Sequence, residues 1–170
     1  MLTSISISNI YVLDQNEALD FYVGKLGLEV REDQNFGPMR WLTVCVPGQP
    51  GHAILLERPA PPSMDEASGE KLRELITKGA AGWVGFYTND CRKTYEDLKA
   101  KGVEVTQEPV EQEYGTDFAI RDPFGNQIRI VQPSFWARAS RRMDRRERIP
   151  VGPSLVAPRV GPAGRRSCSR

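Results

Sequence analysis

The chain reads as an α+β fold built from two copies of a strand-helix-strand-strand-strand unit, and three observations carry that expectation. The first is repetition: Asp14, a helix and Gly27-Leu28-Glu29-Val30 return as Asp90, a helix and Gly102-Val103-Glu104-Val105, at almost the same spacing. The second is the stretch Arg121-Asp122-Pro123-Phe124-Gly125-Asn126-Gln127-Ile128-Arg129-Ile130-Val131, a tight turn followed by strict alternation. The third is size: 170 residues, 39% hydrophobic and 26% charged, suit one globular domain of ordinary dimensions.

The elements follow in order. Residues 4–13 alternate as a strand, with Ile7, Asn9 and Tyr11 on one face and Ser8, Ile10 and Val12 on the other. Asp14 caps a helix with Glu17 at the capping-box position, and Ala18, Phe21, Tyr22 and Leu26 fall at helical spacing before Gly27 ends it. A second strand begins at residues 28–31, and a right-handed helical crossover suits the first two strands if they are parallel. After a loop with Phe36-Gly37-Pro38, residues 40–46 and 53–57 are β-prone and bracket the turn Pro47-Gly48-Gln49-Pro50-Gly51.

The connector, residues 59–81, starts stiff at Pro59-Ala60-Pro61-Pro62. It continues as a helix opened by Ser63 or Asp65, with Leu72, Leu75 and Ile76 on one face. The plan then repeats: a strand over residues 83–88, a helix with Tyr95 and Leu98 inward, and strands near 102–105, 116–121 and 127–132. The expected domain is 1–133, with modules 3–58 and 82–133. In the last strand Ile128 and Ile130 face the helix, which leaves Arg129 and Val131 on the opposite face. Each helix covers one face of its sheet, so the other faces must meet each other or a partner, and a homodimer is expected.

Composition narrows the function. Three cysteines (Cys45, Cys91, Cys168) without close pairing suggest neither a disulfide framework nor a zinc cluster, and Cys45 reads as a small core residue. One histidine, His52, excludes a multi-histidine metal site and reads as an exposed loop residue. No signal peptide or membrane span is evident, so a cytoplasmic protein is expected. The formal charge of +1 hides a division: residues 1–133 hold 13 basic against 20 acidic residues, net −7, and residues 134–170 hold 10 against 2, net +8. That Arg-, Pro- and Gly-rich tail has the composition of a disordered segment, and without a partner motif it reads as a dispensable tail or one that docks on the acidic body, in preference to a nucleic-acid-binding one.

The combination D-x(3)-A-x(2)-F-Y, then L-G-L, then D-P-x-G-N resembles the vicinal oxygen chelate superfamily, in its glyoxalase, bleomycin-resistance and dioxygenase branch. The resemblance covers residues 3–133. It implies paired βαβββ modules whose curved sheets form an eight-stranded cleft, usually with a dimer partner. It also implies a divalent metal held by side chains of each module's first and last strands. Those positions fall at Ile7 and Val84, within one residue, and at Arg129 with Glu57 or Leu55. Arg129 has no lone pair and repels a cation, so no metal and no cofactor is expected.

The expected cleft instead gathers Ile7, Asn9, Tyr11, Trp41, Glu57, Val84, Phe86, Arg129 and Val131, an apolar surface with few polar groups that suits a small organic ligand. The reading is a metal-free binding protein of the bleomycin-resistance kind, with Glu57 and Arg129 paired across the cleft. The alternative is a lyase, isomerase or dioxygenase of the same superfamily with either a metal site or a metal-free acid-base site, the latter with Glu57 or Tyr11 as base and Arg129 stabilising an enolate or carboxylate.

Overall fold

The structure, a computed structural model, describes residues 1–134. The Arg-rich tail anticipated beyond residue 134 lies outside the described residues. The first unit comprises β1 (Ile7–Tyr11), α1 (Gln15–Leu19), β2 (Glu29–Phe36), β3 (Met39–Cys45) and β4 (Ala53–Glu57). The connector carries α2 (Glu66–Thr77), and the second unit comprises β5 (Trp83–Tyr87), α3 (Cys91–Ala100), β6 (Glu104–Gln112), β7 (Gly115–Arg121) and β8 (Gln127–Pro133). The caps fall where the sequence puts them: Asp14 accepts from the amides of Asn16 and Glu17, Asp65 from that of Ser68, and Asp90 from that of Lys93.

Two features depart from the sequence reading. The helix opened by Asp14 passes at Asp20–Lys25 into a π-helical turn, in which Leu26 N–H reaches back five residues to Phe21. The parallel neighbour of β1 is β4, not β2: the sheets run β1-β4-β3-β2 and β5-β8-β7-β6. The crossover therefore carries the chain to the far edge, and two antiparallel turns bring it back beside β1.

Each sheet is four-stranded, and no strand pairing joins them among the described residues. Their helix-facing sides share one core, with Val12, Leu42, Val44 and Leu56 from the first unit and Phe118, Ile120, Ile128 and Ile130 from the second. The junction is polar as well as apolar. Asp122 Oδ1 accepts from the amides of Phe124, Gly125 and Asn126, and Oδ2 accepts from Tyr22 Oη at 2.8 Å and from Asn126 Nδ2. Asn126 Nδ2 also donates to the Tyr11 carbonyl. Burial and the Asp122 charge push the Tyr22 hydroxyl far above its usual pKa, so it acts only as a donor here. Gly125 completes the junction: at φ 114° a Cβ would lie 2.2 Å from the Ile76 carbonyl oxygen, so α2 closes on bare backbone.

Candidate functional site

Strand register decides which side chains share the face that no helix covers. In the first sheet β1 pairs with β4 as Ile7 with Ala53, Asn9 with Leu55 and Tyr11 with Glu57, and Thr43 of β3 lies opposite Leu55. These residues share the open face, and Trp41 joins them two positions from Thr43. In the second sheet β5 pairs with β8 as Trp83 with Gln127, Gly85 with Arg129 and Tyr87 with Val131, while β7 sets Ala119 opposite Arg129 and Asp117 opposite Val131. The open face there carries Trp83, Gly85, Tyr87, Asp117, Arg129 and Val131.

Of the nine residues expected in the cleft, seven stand on an open face: Ile7, Asn9, Tyr11, Trp41, Glu57, Arg129 and Val131. Val84 and Phe86 do not. They pair with Ile128 and Ile130 and pack against the core on the helix side. The two modules are offset by 76 residues, as Tyr11 and Tyr87 before the capping Asp14 and Asp90 show, whereas the sequence alignment of Ile7 with Val84 used 77. With side chains alternating, that one-residue slip exchanges the faces. Leu55 and Glu57, two residues apart, both face the open side, and the counterpart of Arg129 is Leu55.

The Glu57–Arg129 pair is not formed. Glu57 accepts from Asn9 Nδ2 at 3.0 Å within the first sheet. Arg129 instead donates through Nε to Asp117 Oδ2 and through Nη2 to Gln107 Oε1 at 2.9 Å. Asp117 is fully buried and its Oδ1 has no partner among the described residues, while the Arg129 side chain is 43% exposed. Burial raises the pKa of the Tyr114 hydroxyl and the nearby Asp117 carboxylate pushes it the same way, which places this phenol beside the pair. In the first sheet Trp41 Nε1 donates to Glu32 at 2.9 Å.

Sequence reasoning missed Asp117, Gln107 and Tyr87. Trp83 is 73% exposed and Tyr87 67%. The signal for Asp117 was present: Gly115–Arg121 alternates with Phe118 and Ile120 inward, which leaves Asp117 and Ala119 on the side of Arg129. Gly85 has its own reason. A Cβ there would lie 3.2 Å from Cζ3 of Trp83, so the indole folds back over the bare strand next to Arg129.

The residues at this level of the two sheets, Asn9 and Leu55 in one and Gly85 and Arg129 in the other, do not fit the divalent metal of the resembled family. Leucine and glycine offer no donor there, asparagine one amide oxygen, and Arg129 a permanent positive charge. Among the described residues no three His, Cys, Asp or Glu side chains converge as a metal site. His52 is an exposed loop residue within 3.2 Å of Ser8 Oγ. Cys45 and Cys91 are buried free thiols, and burial raises the Cys91 pKa further, so neither is an activated nucleophile. Two concavities among the described residues lie elsewhere, between α1 and the β7–β8 turn and beside the β6–β7 hairpin.

Fold and register together define a duplicated βαβββ protein, and comparison with known proteins agrees. The profile of the Glyoxalase/Bleomycin resistance protein/Dioxygenase superfamily matches residues 4–130, and the chain belongs to that superfamily. It is 37% identical to the protein YurT of Bacillus subtilis (strain 168) over 129 residues, 75% of this chain and 98% of YurT. Among solved structures it is similar to UcmS2, with 40% identity, a TM-score of 0.73, and coverage of 77% of this chain and 98% of UcmS2. It is also similar to TnmS3, an antibiotic binding protein from Streptomyces sp. CB03234, with 27% identity, a TM-score of 0.63, and coverage of 78% of this chain and 98% of TnmS3. No helix among the described residues is long and apolar enough to cross a membrane.

Proposed function

We propose that the chain is a small-molecule binding protein that holds an organic, partly aromatic ligand on its open sheet faces without a metal, as a homodimer whose second copy encloses the ligand. The observation that carries this reading is the second sheet's open face, where Trp83 and Tyr87 stand 73% and 67% exposed on either side of the Gly85–Arg129 rung. Large apolar groups left in water on a sheet face mark a surface that something else covers. The likeness to an antibiotic binding protein supports an antibiotic-like organic molecule as the class of ligand. The donor set argues against the metal-dependent chemistries of the superfamily, which need a Lewis acid at this level of the sheets.

The test is retention of compound. Purified protein is mixed with extracts of antibiotic-producing Streptomyces and recovered by gel filtration, and the bound molecules are released and weighed by mass spectrometry. The reading expects a dimer that carries an organic compound of unchanged mass, about one per cleft. A compound released with altered mass would make the protein an enzyme, and one divalent metal per chain by elemental analysis would overturn the metal-free site. A monomer at micromolar concentration in sedimentation would remove the second copy from the account.

A further inference from the structure

The Arg129–Asp117–Gln107 cluster has a property that the general reading of the open face does not use. Arginine carries five N–H donors in a planar fork. Two point into the sheet: Nε to the buried carboxylate of Asp117 and one Nη2 hydrogen to Gln107. Nη1 has no partner among the described residues, and with 43% of the side chain exposed the outer edge of the guanidinium, formed by Nη1 and the second Nη2 hydrogen, looks away from the strand. Arg129 is thus fixed at one edge by a residue with no freedom to move and open at the other.

Its surroundings fix what that edge can meet. Gly85, its partner on β5, has no side chain, and the Trp83 indole leans across it. Ala119 on the other side is small. An opening flanked by an indole face and floored by glycine and alanine accepts a flat ring. Two parallel N–H groups in the plane of the guanidinium match a pair of oxygens about as far apart as those of a carboxylate.

We infer that Arg129, positioned by Asp117 and Gln107, anchors the carboxylate of an aromatic carboxylic acid ligand, with the ring lying against Trp83. The inference rests on the proposed ligand-binding reading of the open face and narrows it to one chemical class. The burial of Asp117 supports it. A fully buried carboxylate is costly without a fixed cationic partner, and here its Oδ2 accepts from Arg129 Nε and holds the guanidinium in a single orientation. Asp117 is therefore a positioning residue, not a contact.

The experiment compares 2-naphthoate with its neutral counterpart 2-naphthamide, which keeps the ring and one oxygen but not the paired anionic oxygens. Both are titrated into the full-length chain by calorimetry at neutral pH, then into Arg129→Gln, Arg129→Lys and Gln107→Leu. The expected result is naphthoate bound at least about tenfold more tightly than naphthamide. That preference should disappear in Arg129→Gln, as naphthoate affinity falls toward that of naphthamide, and return only in part in Arg129→Lys, which keeps the charge but not the fork. Gln107→Leu, which removes one positioning contact, should lower the ratio of naphthoate to naphthamide affinity without abolishing it. Equal affinities in the unmodified protein would overturn the carboxylate anchor while leaving the binding reading intact. Binding of neither probe would overturn the anchor and count against the open-face reading as well. The comparison in the unmodified protein decides the matter even if the variants fail to fold.

Discussion

The two βαβββ units follow one plan, yet their open faces carry different chemistry. On the helix side they correspond closely: Val44 and Ile54 of the first unit match Ile120 and Ile128 of the second, all buried in one core. On the open side Asn9 and Leu55 of the first unit stand where the second has Gly85 and Arg129, and Trp41 stands where the second has Asp117. The helix side must keep its apolar period or lose the fold, whereas a position on the open face needs only to be compatible with a strand. The duplicated scaffold therefore keeps its geometry while the open faces diverge in chemistry.

The turns between the last two strands differ most, and altering them should have the largest effect. The β7–β8 turn is organised by Asp122, buried and accepting five hydrogen bonds, while the β3–β4 turn is held by backbone contacts such as Gln49 N–H to the Val46 carbonyl. Asp122→Ala strands the Tyr22 hydroxyl and three amides and should cost about 3–5 kcal/mol in urea denaturation. Gln49→Ala in the first unit should stay within about 0.5 kcal/mol.

Next in size is the open-face pair. Arg129→Ala leaves the buried Asp117 uncompensated, and because Arg129 is itself partly exposed the loss should be about 2 kcal/mol, below that of a fully buried pair. In a double-mutant cycle Arg129→Gln should couple to Asp117→Asn by about 1 kcal/mol or more. It should be additive with Glu57→Gln to within about 0.5 kcal/mol. Coupling to Glu57 would mean that the two sheets' open faces meet in solution.

A smaller contrast separates neighbours on one strand. Val84→Ala and Phe86→Ala should each lower stability by about 1–3 kcal/mol, because both pack on the core. Trp83→Ala and Tyr87→Ala should leave chemical stability of a dilute sample nearly unchanged while weakening ligand retention and dimerisation.

The smallest expected effect lies at the helix caps. Asp14 accepts from two backbone amides, which hold its carboxyl below the ordinary value of 3.8. A depressed folded pKa means that the cap's charge contributes fully above pH 3.8 and that the contribution is lost as pH falls through the lower folded value. The melting-temperature difference between the parent and Asp14→Ala should therefore be constant near neutrality and shrink in strongly acidic buffer.

Much of this was legible in the sequence, for identifiable reasons. Alternation in Gln127–Pro133 put Arg129 on the open face, and Asp14 and Asp90 announced their helices because a capping carboxylate is a local device, while the sequence left Ser63 and Asp65 as equal candidates for the connector helix. The π-helical turn was not legible, because its reward is the distant contact of Tyr22 with Asp122, a hundred residues away. The partner of Arg129 was missed for a related reason: its choice depends on the β6–β7–β8 register, which the sequence of β8 alone does not contain. Val84 and Phe86 were misplaced by a single residue of offset, enough in a strand to reverse every side chain.

The proposed ligand site is the second unit's open face, beside Trp83, Gly85 and Arg129. Amide and indole chemical-shift mapping of ¹⁵N-labelled protein titrated with 2-naphthoate tests it most directly. The account predicts that the Trp83 indole and the Gly85 and Arg129 amides shift together and saturably, while the amides of Phe21 and Phe124, in the groove between α1 and the β7–β8 turn, stay in place. Saturable shifts confined to that groove, with Trp83 and Arg129 unmoved, would contradict it.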